Sequence, residues 1–171
     1  MIESKKIVIM SDTHGDIDEI SKVIARERPF DIFIHCGDLC GAENVLEAKL
    51  SDCIVHMVGG NCDYNRELPD IKEFHIGKLK VVVLHGHKYH VNYDISSLFY
   101  LAREREADIV MFGNIHVPVL VQEQGVTIIN PGSLVRPRQS DRTGTYVVMT
   151  TDKSGDADFE WMSIDGDMYE I

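Results

Sequence analysis

Five short polar segments of the sequence each follow an apolar run, and each carries side chains that bind divalent metal ions. Aspartate and asparagine supply oxygen ligands, histidine supplies nitrogen, and neighbouring glycines let the backbone come close to an ion. Taken singly, each segment has an ordinary explanation: Asp12 can cap a helix, Asp38 can fix a turn, and a loop histidine can simply be hydrogen-bonded. The segments are Asp12-Thr13-His14, Gly37-Asp38, Gly59-Gly60-Asn61-Cys62-Asp63, His85-Gly86-His87 and Gly113-Asn114-Ile115-His116.

The runs that precede these segments are rich in valine and isoleucine, as buried strands are. In open α/β sheets, ligands gather at the carboxyl ends of the strands. We therefore predict that the five segments meet at one sheet edge and form a metal-binding cluster there. The predicted strands cover residues 6–10, 31–35, 53–58, 79–84 and 108–112.

The remaining apolar pattern predicts a single α/β domain over residues 1–171, with a mixed sheet and a β-rich second half. Three stretches have helical periodicity. A hairpin is expected between 71–76 and 79–84, turning at Gly77-Lys78, and short strands are expected at 117–123, 126–130, 144–151 and 157–164. The predicted helical faces are Ile17/Ile20/Ile24, Ala42/Val45/Leu46 and Ile95/Leu98/Phe99/Ala102.

Composition narrows the class of protein. The net charge of −11 argues against a protein that grips long nucleic acids by their phosphates. No basic leader followed by an apolar stretch stands at the start, and no run approaches the length of a membrane span, so we expect a cytoplasmic protein without a membrane segment. We therefore expect the cysteines to be reduced. Cys36 and Cys40 lie close together in the sequence, but a structural zinc site needs a second closely spaced pair of cysteines, which the sequence does not have.

The ligand types restrict the metal without choosing it. Carboxylate and amide oxygens mixed with imidazoles suit Mn²⁺, Fe²⁺, Zn²⁺ or Ni²⁺ better than a thiolate site does. Two cations ~4 Å apart that share one carboxylate can activate a bridging water for in-line attack on phosphorus. An acidic protein that binds an anionic substrate also needs such a local source of positive charge.

In this order, the motifs resemble those of the calcineurin-like metallophosphoesterases, and the resemblance spans roughly residues 6 to 150. The stretch Asn130-Pro131-Gly132-Ser133 and the chain length are similar to the small prokaryotic YfcE-like phosphodiesterase branch. The resemblance implies a four-layer αββα sandwich, in which two mixed β-sheets are flanked by helices and a dinuclear site lies on the rim. It also implies a metal-dependent phosphodiesterase that acts on a small phosphoester.

Carried over by motif, the resemblance assigns roles to individual residues. Asp12, His14 and His116 would hold one metal, Asn61 and His85 the other, and Asp38 would bridge them. A metal-bridging hydroxide would be the nucleophile, Asn61 would help to stabilise the phosphoryl charge, and Asp63 would orient a neighbour. The expected cofactors are two divalent ions, Mn²⁺ first and Ni²⁺, Fe²⁺ or Zn²⁺ as alternatives. The candidate catalytic residues are Asp38, Asn61 and Asp63.

Two positions depart from the family pattern. Cys62 stands where the fullest pattern has a histidine associated with phosphate contact or leaving-group protonation. Loss of such an acid costs about 10²-fold or more for a basic leaving group, which favours diesters or activated esters. Asn114 stands where the second metal normally has an imidazole. Because an amide is the weaker ligand, we predict a second site that binds weakly, takes a harder ion such as Mn²⁺ or Mg²⁺, or stays partly empty.

Alternatives from other classes remain at this stage. A retromer subunit that resembles this fold serves as a scaffold, and Asn114 favours a similar binding role here, whereas the six other converging ligands disfavour it. His87 and His90 could replace the missing imidazole, although loop roles are expected for both. Arginines after the Asn130–Ser133 turn are candidate substrate-binding residues together with Cys62, and an aromatic group is a candidate dimer contact. These residues are Arg136, Arg138 and Arg142, and Tyr89, Tyr93, Phe99 and Tyr100.

Overall fold

A computed structural model describes residues 3–65 and 67–171 of the chain, and in these residues ten strands alternate with three helices. The helices are α1 Ile17–Glu27, α2 Glu43–Lys49 and α3 Ser96–Arg105. The strands are β1 Lys5–Met10, β2 Ile32–His35, β3 Ile54–Met57, β4 Ile71–Ile76, β5 Leu79–Leu84, β6 Ile109–Met111, β7 Pro118–Glu123, β8 Val126–Pro131, β9 Thr145–Thr151 and β10 Ala157–Ser163.

The strands form two mixed five-stranded sheets. The first has the order β10-β9-β1-β2-β3. Its β1, β2 and β3 are parallel, β9 is antiparallel to β1, and the edge strand β10 is antiparallel to β9. The second has the order β4-β5-β6-β8-β7, with β5, β6 and β8 parallel and the two edge strands antiparallel. Parallel strands place their carboxyl ends on the same edge of a sheet.

Alternating side chains of the strands serve two different apolar layers. Ile7 and Ile9 of β1 face the second sheet, where Val81 and Val83 of β5 belong to the same buried cluster. Their neighbours on the other face of the first sheet pack against α1 and α2, and the outer face of the second sheet packs against α3. The predicted αββα sandwich is therefore confirmed, and burial on both faces explains the continuous apolar runs.

The predicted strands all exist, and each boundary lies within one residue of the expected one. Two expectations are wrong. The five polar segments follow strands of both sheets, three in the first and two in the second, and not one sheet edge. In α2, Val45 is 39% exposed and Glu43 is buried instead, because the buried face of the helix runs through Leu46 toward Leu50.

The expected aromatic surface divides into two kinds of residue. Tyr89 and Phe99 pack against the buried cluster under α3, whereas Tyr93 and Tyr100 are exposed. In the two described ranges, no helix combines the length and apolar character that crossing a membrane requires.

Candidate metal centre

The polar segments converge where the carboxyl ends of the two sheets meet. One ligand atom from each of Asp12, His14, Asp38 and His116 lies within 4.8 Å of the others, and we call these four residues the first half of the cluster. The second half consists of Asp38 again with Asn61, His85 and Asn114. Asp38 therefore belongs to both halves.

Short distances join the first half. His116 Nε2 lies 3.0 Å from Asp12 Oδ1 and 3.5 Å from His14 Nε2. His14 Nε2 lies 3.8 Å from Asp38 Oδ2. Two imidazole nitrogens and two carboxylate oxygens thus face a common point from three loops.

In the second half, His85 Nε2 lies 3.1 Å from Asn61 Oδ1 and 3.4 Å from Asp38 Oδ2. The Asp38 Oδ2 atom is therefore the oxygen that both halves share. Asn114 lines the same cavity as Asn61, and its Nδ2 atom is buried without a hydrogen-bond partner. The family resemblance assigns Asn114 to this half, which would then have two amides and a single imidazole.

In two of the histidines, the ring nitrogen that points away from the cluster has a hydrogen-bond partner. This partner determines the tautomer of the neutral ring and therefore which nitrogen carries no proton. His116 Nδ1 lies 2.7 Å from the carbonyl oxygen of Arg136, and His85 Nδ1 lies 2.7 Å from that of Cys36. A carbonyl oxygen only accepts, so each Nδ1 carries the proton and each Nε2 presents a lone pair. Lone pairs of nitrogen and oxygen thus point at one another, an arrangement that a bound cation or proton stabilises.

Each carboxylate is fixed through one oxygen and leaves the other free for the cluster. Asp12 Oδ2 accepts from Ser11 Oγ at 2.6 Å and from the Asn114 backbone N–H at 3.0 Å. Its Oδ1 is buried without a hydrogen-bond donor. Similarly, Asp38 Oδ1 accepts from the Cys62 backbone N–H at 2.9 Å, and Oδ2 faces His14 and His85. Buried anionic oxygens without donors are what a metal site requires.

Backbone strain is concentrated at the same residues. A positive φ is costly for a residue with a Cβ, roughly 1–3 kcal/mol, and such strain clusters at functional sites. Among the described residues, ten other than glycine have a positive φ, and half of these belong to the cluster. These five are Asp12 (54°), His14 (45°), Asp38 (60°), Asn114 (68°) and His116 (59°).

Gly60 allows the close approach that the sequence predicts. A Cβ at this position would lie 2.1 Å from Asp38 Oδ1 and 2.6 Å from the Asp38 nitrogen. Any side chain there would therefore displace the shared carboxylate. The glycine before Asn61 is needed for space and not for an unusual φ.

Asp63 occupies a supporting position and does not line the cavity. Its carboxylate accepts three backbone N–H groups, those of Asp38 at 2.8 Å, Cys40 at 2.7 Å and Gly60 at 2.7 Å. These bonds tie the loop of Asp38 to the loop of Asn61. The position agrees with the predicted orienting role.

Sequence reasoning missed His35, a fully buried residue at the end of β2. Its Nδ1 accepts from the Gly37 backbone N–H at 3.2 Å, so Nε2 carries the proton and donates to Thr13 Oγ1 at 2.9 Å. The ring thereby connects the loop of Asp12 and His14 with the loop of Asp38. Burial lowers the pKa of His35 to about 4, which keeps the ring neutral. Its place in an apolar run hides it from sequence analysis.

The stretch Asn130–Ser133 has a similar supporting role. Ser133 Oγ donates to the Asp12 carbonyl oxygen at 2.7 Å and accepts from the Arg136 backbone N–H at 2.9 Å. Asn130 Nδ2 donates to the Gly113 carbonyl oxygen at 2.9 Å. Two loops that carry cluster residues are thus fixed by side chains outside it, which orients the ligands.

The charges in the cluster shift the pKa values of its members in opposite directions. Burial lowers the pKa of His14, and the positive charge of Arg136 lowers it further. Burial alone would also lower the pKa of His85, but its hydrogen bond to Asp38 and the negative charge of Asp12 outweigh burial and raise it. Burial would raise the pKa of Asp38, but the hydrogen bond and charge of His85 hold it well below its usual range.

The cluster opens into a cavity of about 500 Å³. Cys62 and the predicted arginines Arg136, Arg138 and Arg142 line it, as does Asn92, which the sequence did not single out. Burial and the charge of Asp38 raise the pKa of the Cys62 thiol. His87 is half-buried, with its ring centroid 5.4 Å from that of His85, and His90 is exposed.

The sequence also matches a known protein family. The calcineurin-like phosphoesterase superfamily domain matches residues 6–154. The chain is 33% identical over 146 residues to a Bacillus subtilis protein named "Probable metallophosphoesterase YsnB", and the match covers 84% of this chain and 83% of that protein.

Solved structures give the same picture of the fold. A Streptococcus pneumoniae protein described as a predicted phosphoesterase has a TM-score of 0.86 and 29% identity, over 99% of this chain and 95% of that one. YfcE, a phosphoesterase from E. coli, has a TM-score of 0.70 and 18% identity, over 96% and 97% of the two chains. At that identity, the second similarity concerns the fold alone.

Proposed function

Since this chain belongs to the calcineurin-like phosphoesterase superfamily, we propose that it is a metal-dependent phosphodiesterase that acts on a small phosphoester. The observation that carries the proposal is the convergence of the Nε2 atoms of His14, His85 and His116 with the free oxygens of Asp12 and Asp38. Such an arrangement is stabilised by cations and has no evident structural purpose.

The donor set fits divalent metal ions. The first half, Asp12, His14, Asp38 and His116, would hold one ion, and Asp38, Asn61, His85 and Asn114 would hold the second. Bound ions of this kind lower the pKa of a coordinated water and neutralise phosphate charge. Among the ions that suit mixed oxygen and nitrogen ligands, we favour Mn²⁺, with Ni²⁺, Fe²⁺ and Zn²⁺ as alternatives.

Each side chain then has a specific task. The carboxylate of Asp38, held by the Cys62 N–H, keeps the two halves in register. The Asn61 amide presents Oδ1 to His85. Its Nδ2 atom donates to Cys62 Sγ at 3.7 Å and has a second N–H for an oxygen of the phosphoryl group. Asp63 holds the backbone of both loops and so positions Asp38 and Asn61.

The cavity favours diesters over monoesters. A basic leaving group needs a proton donor, and Cys62 stands where the family pattern has a histidine. With its pKa raised, the thiol stays neutral and protonated but is a weak acid. Esters that release a stable anion, such as aryl diesters and other activated esters, are therefore the expected substrates.

A scaffold function is not favoured. Asn114 alone supports it, whereas the strained backbone of the cluster residues and the buried, donor-free Oδ1 atom of Asp12 favour a metal-binding site. Asn114 instead suggests a weaker second ion.

Hydrolysis of bis(p-nitrophenyl) phosphate, measured with added Mn²⁺ and after EDTA treatment, tests the proposal. We expect hydrolysis that requires the metal and that Asp38→Ala abolishes. Asp158→Ala, which removes an exposed carboxylate from the edge strand β10, is the matched control and is expected to retain activity. Hydrolysis that survives both EDTA and Asp38→Ala would contradict the proposal.

A further inference from the structure

One wall of the cavity carries an unusual concentration of positive charge. Arg136, Arg138 and Arg142 all come from the loop between β8 and β9 and line the cavity together with residues of the ligand cluster. The chain as a whole has a net charge of −11. Three arginines in seven residues are therefore a local exception to its acidic character.

These arginines also differ from the others in having few protein partners. In residues 3–65 and 67–171, no carboxylate lies within 4 Å of the three guanidinium groups, and only Arg142 hydrogen-bonds within the protein, to the Pro137 carbonyl oxygen. The four remaining arginines of these ranges all donate to protein groups. Those pairs are Arg26 with the Ile164 carbonyl oxygen, Arg28 with Asp52, Arg103 with Gln124, and Arg105 with Glu73.

The scissile group alone does not account for this charge. A phosphodiester carries one negative charge, and the ions of the ligand cluster would already neutralise it. A guanidinium binds a phosphate through two parallel N–H groups, so two or three guanidiniums match a complete second phosphate. The cavity of about 500 Å³ lies within the range of whole small-molecule sites.

We propose that the substrate carries a second phosphate group, separate from the scissile one, and that Arg136 and Arg138 bind it, with Arg142 beside them. The substrate class is a small ester with two phosphates. This inference rests on the proposed function, because it assigns the scissile phosphate to the ligand cluster.

Isothermal titration calorimetry of the full chain with Mg²⁺ tests the inference through binding and not through activity. The probes are adenosine 5′-phosphate and adenosine 3′,5′-bisphosphate, which differ by one phosphate. Both are monoesters, which the proposed function disfavours as substrates. We expect the bisphosphate to bind at least about tenfold more tightly, the effect of one charge-assisted contact.

Variants locate the preference. In Arg136→Gln/Arg138→Gln, we expect the two probes to bind within about twofold of each other because the partner of the second phosphate is gone. Arg103→Gln removes an arginine that lies on α3 and is paired with Gln124. This matched control is expected to keep the tenfold preference. Equal binding of both probes to the unmodified chain, or an unchanged preference in the double variant, overturns the inference.

Further results distinguish the second-phosphate site from the proposed phosphodiesterase function and from a nucleic-acid site. If diester hydrolysis proves metal-dependent but neither probe is preferred, the proposed function stands and the inference fails. If the bisphosphate is preferred but no diester is hydrolysed, the anion site stands and the proposed function fails. A single-stranded octanucleotide that binds more tightly than the bisphosphate, with a steep salt dependence, would show a nucleic-acid site and overturn the proposed small-ester class.

Discussion

The two halves of the ligand cluster share a carboxylate but differ in what surrounds it. Beside Asp38, the first half offers Asp12, His14 and His116, whose ligand atoms lie within 4.8 Å of one another. The second half offers one imidazole, that of His85, and the amides of Asn61 and Asn114. Because borderline metal ions prefer imidazole nitrogen over amide oxygen, the two halves should differ in affinity for the same ion.

The pKa values of the histidines in the two halves are shifted in opposite directions. The pKa of His14 is lowered, so its nitrogen is available to a metal near neutral pH. The pKa of His85 is raised by Asp38 and Asp12, so an ion there must compete with a proton. Because of ligand type and proton competition, we expect the first half to be the stronger site.

We expect the largest loss of metal binding and activity when Asp38, the residue that both halves share, is replaced. Asp38→Ala should abolish metal binding in both and reduce hydrolysis of bis(p-nitrophenyl) phosphate by more than about 10²-fold, since even the loss of an outer partner of a metal site costs 10–100-fold. Metal content by mass spectrometry and initial rates measure both effects. Retention of one full equivalent of Mn²⁺ would show that one half binds its ion without Asp38 and would contradict this prediction.

Removing one imidazole from each half compares them directly. His116→Ala should eliminate tight Mn²⁺ binding, whereas His85→Ala should leave the tight equivalent and remove only the weak one. Calorimetric titration of Mn²⁺ into both variants gives the stoichiometry and affinity. If the two variants lose the same class of site, the proposed difference between the halves is wrong.

His35 stabilises the first half through hydrogen bonds to the two loops that carry Asp12, His14 and Asp38. His35→Phe removes the hydrogen bonds to Thr13 and Gly37 while retaining an aromatic ring, so we expect Mn²⁺ affinity to fall by about 10–100-fold. His35→Gln can still donate a hydrogen bond and should recover part of that loss. An equal loss in both variants, with unfolding temperatures that fall together, would indicate a structural role only.

Asn114→His should strengthen the weaker half. An imidazole in place of the amide is expected to raise affinity at the second site about tenfold and to leave the first unchanged. Titration of Mn²⁺ beside the unmodified chain measures the change. Equal affinities in the two proteins would mean that Asn114 does not limit the second site.

The smallest effect is the dependence of the two affinities on pH. His85, with its raised pKa, is protonated below that pKa, so metal affinity of the second half should rise with pH up to it, by at most about tenfold per unit for one displaced proton. His14 has a lowered pKa, so it should add no dependence above its ordinary value of 6.5. Mn²⁺ titrations between pH 6 and 8 should show the steeper rise for the weak site, and the opposite order would refute the charge assignment.

The strands and the polar segments could be predicted from the sequence because apolar periodicity and residue type are local properties. The hairpin of Ile71–Ile76 with Leu79–Leu84, for example, was predicted with its turn. The supporting contacts were not readable, because they join residues distant in the chain. His35 lies among apolar residues, and Ser133 contacts Asp12 across 121 positions. The division of the segments between two sheets is likewise a property of topology.

A crystal structure of the Mn²⁺-soaked protein with anomalous diffraction data would locate the metal ions. We expect two peaks, one on each side of the Asp38 carboxylate, with higher occupancy next to His14 and His116 than next to His85. No anomalous peak within ligand distance of Asp38, or higher occupancy beside Asn114, would contradict this expectation.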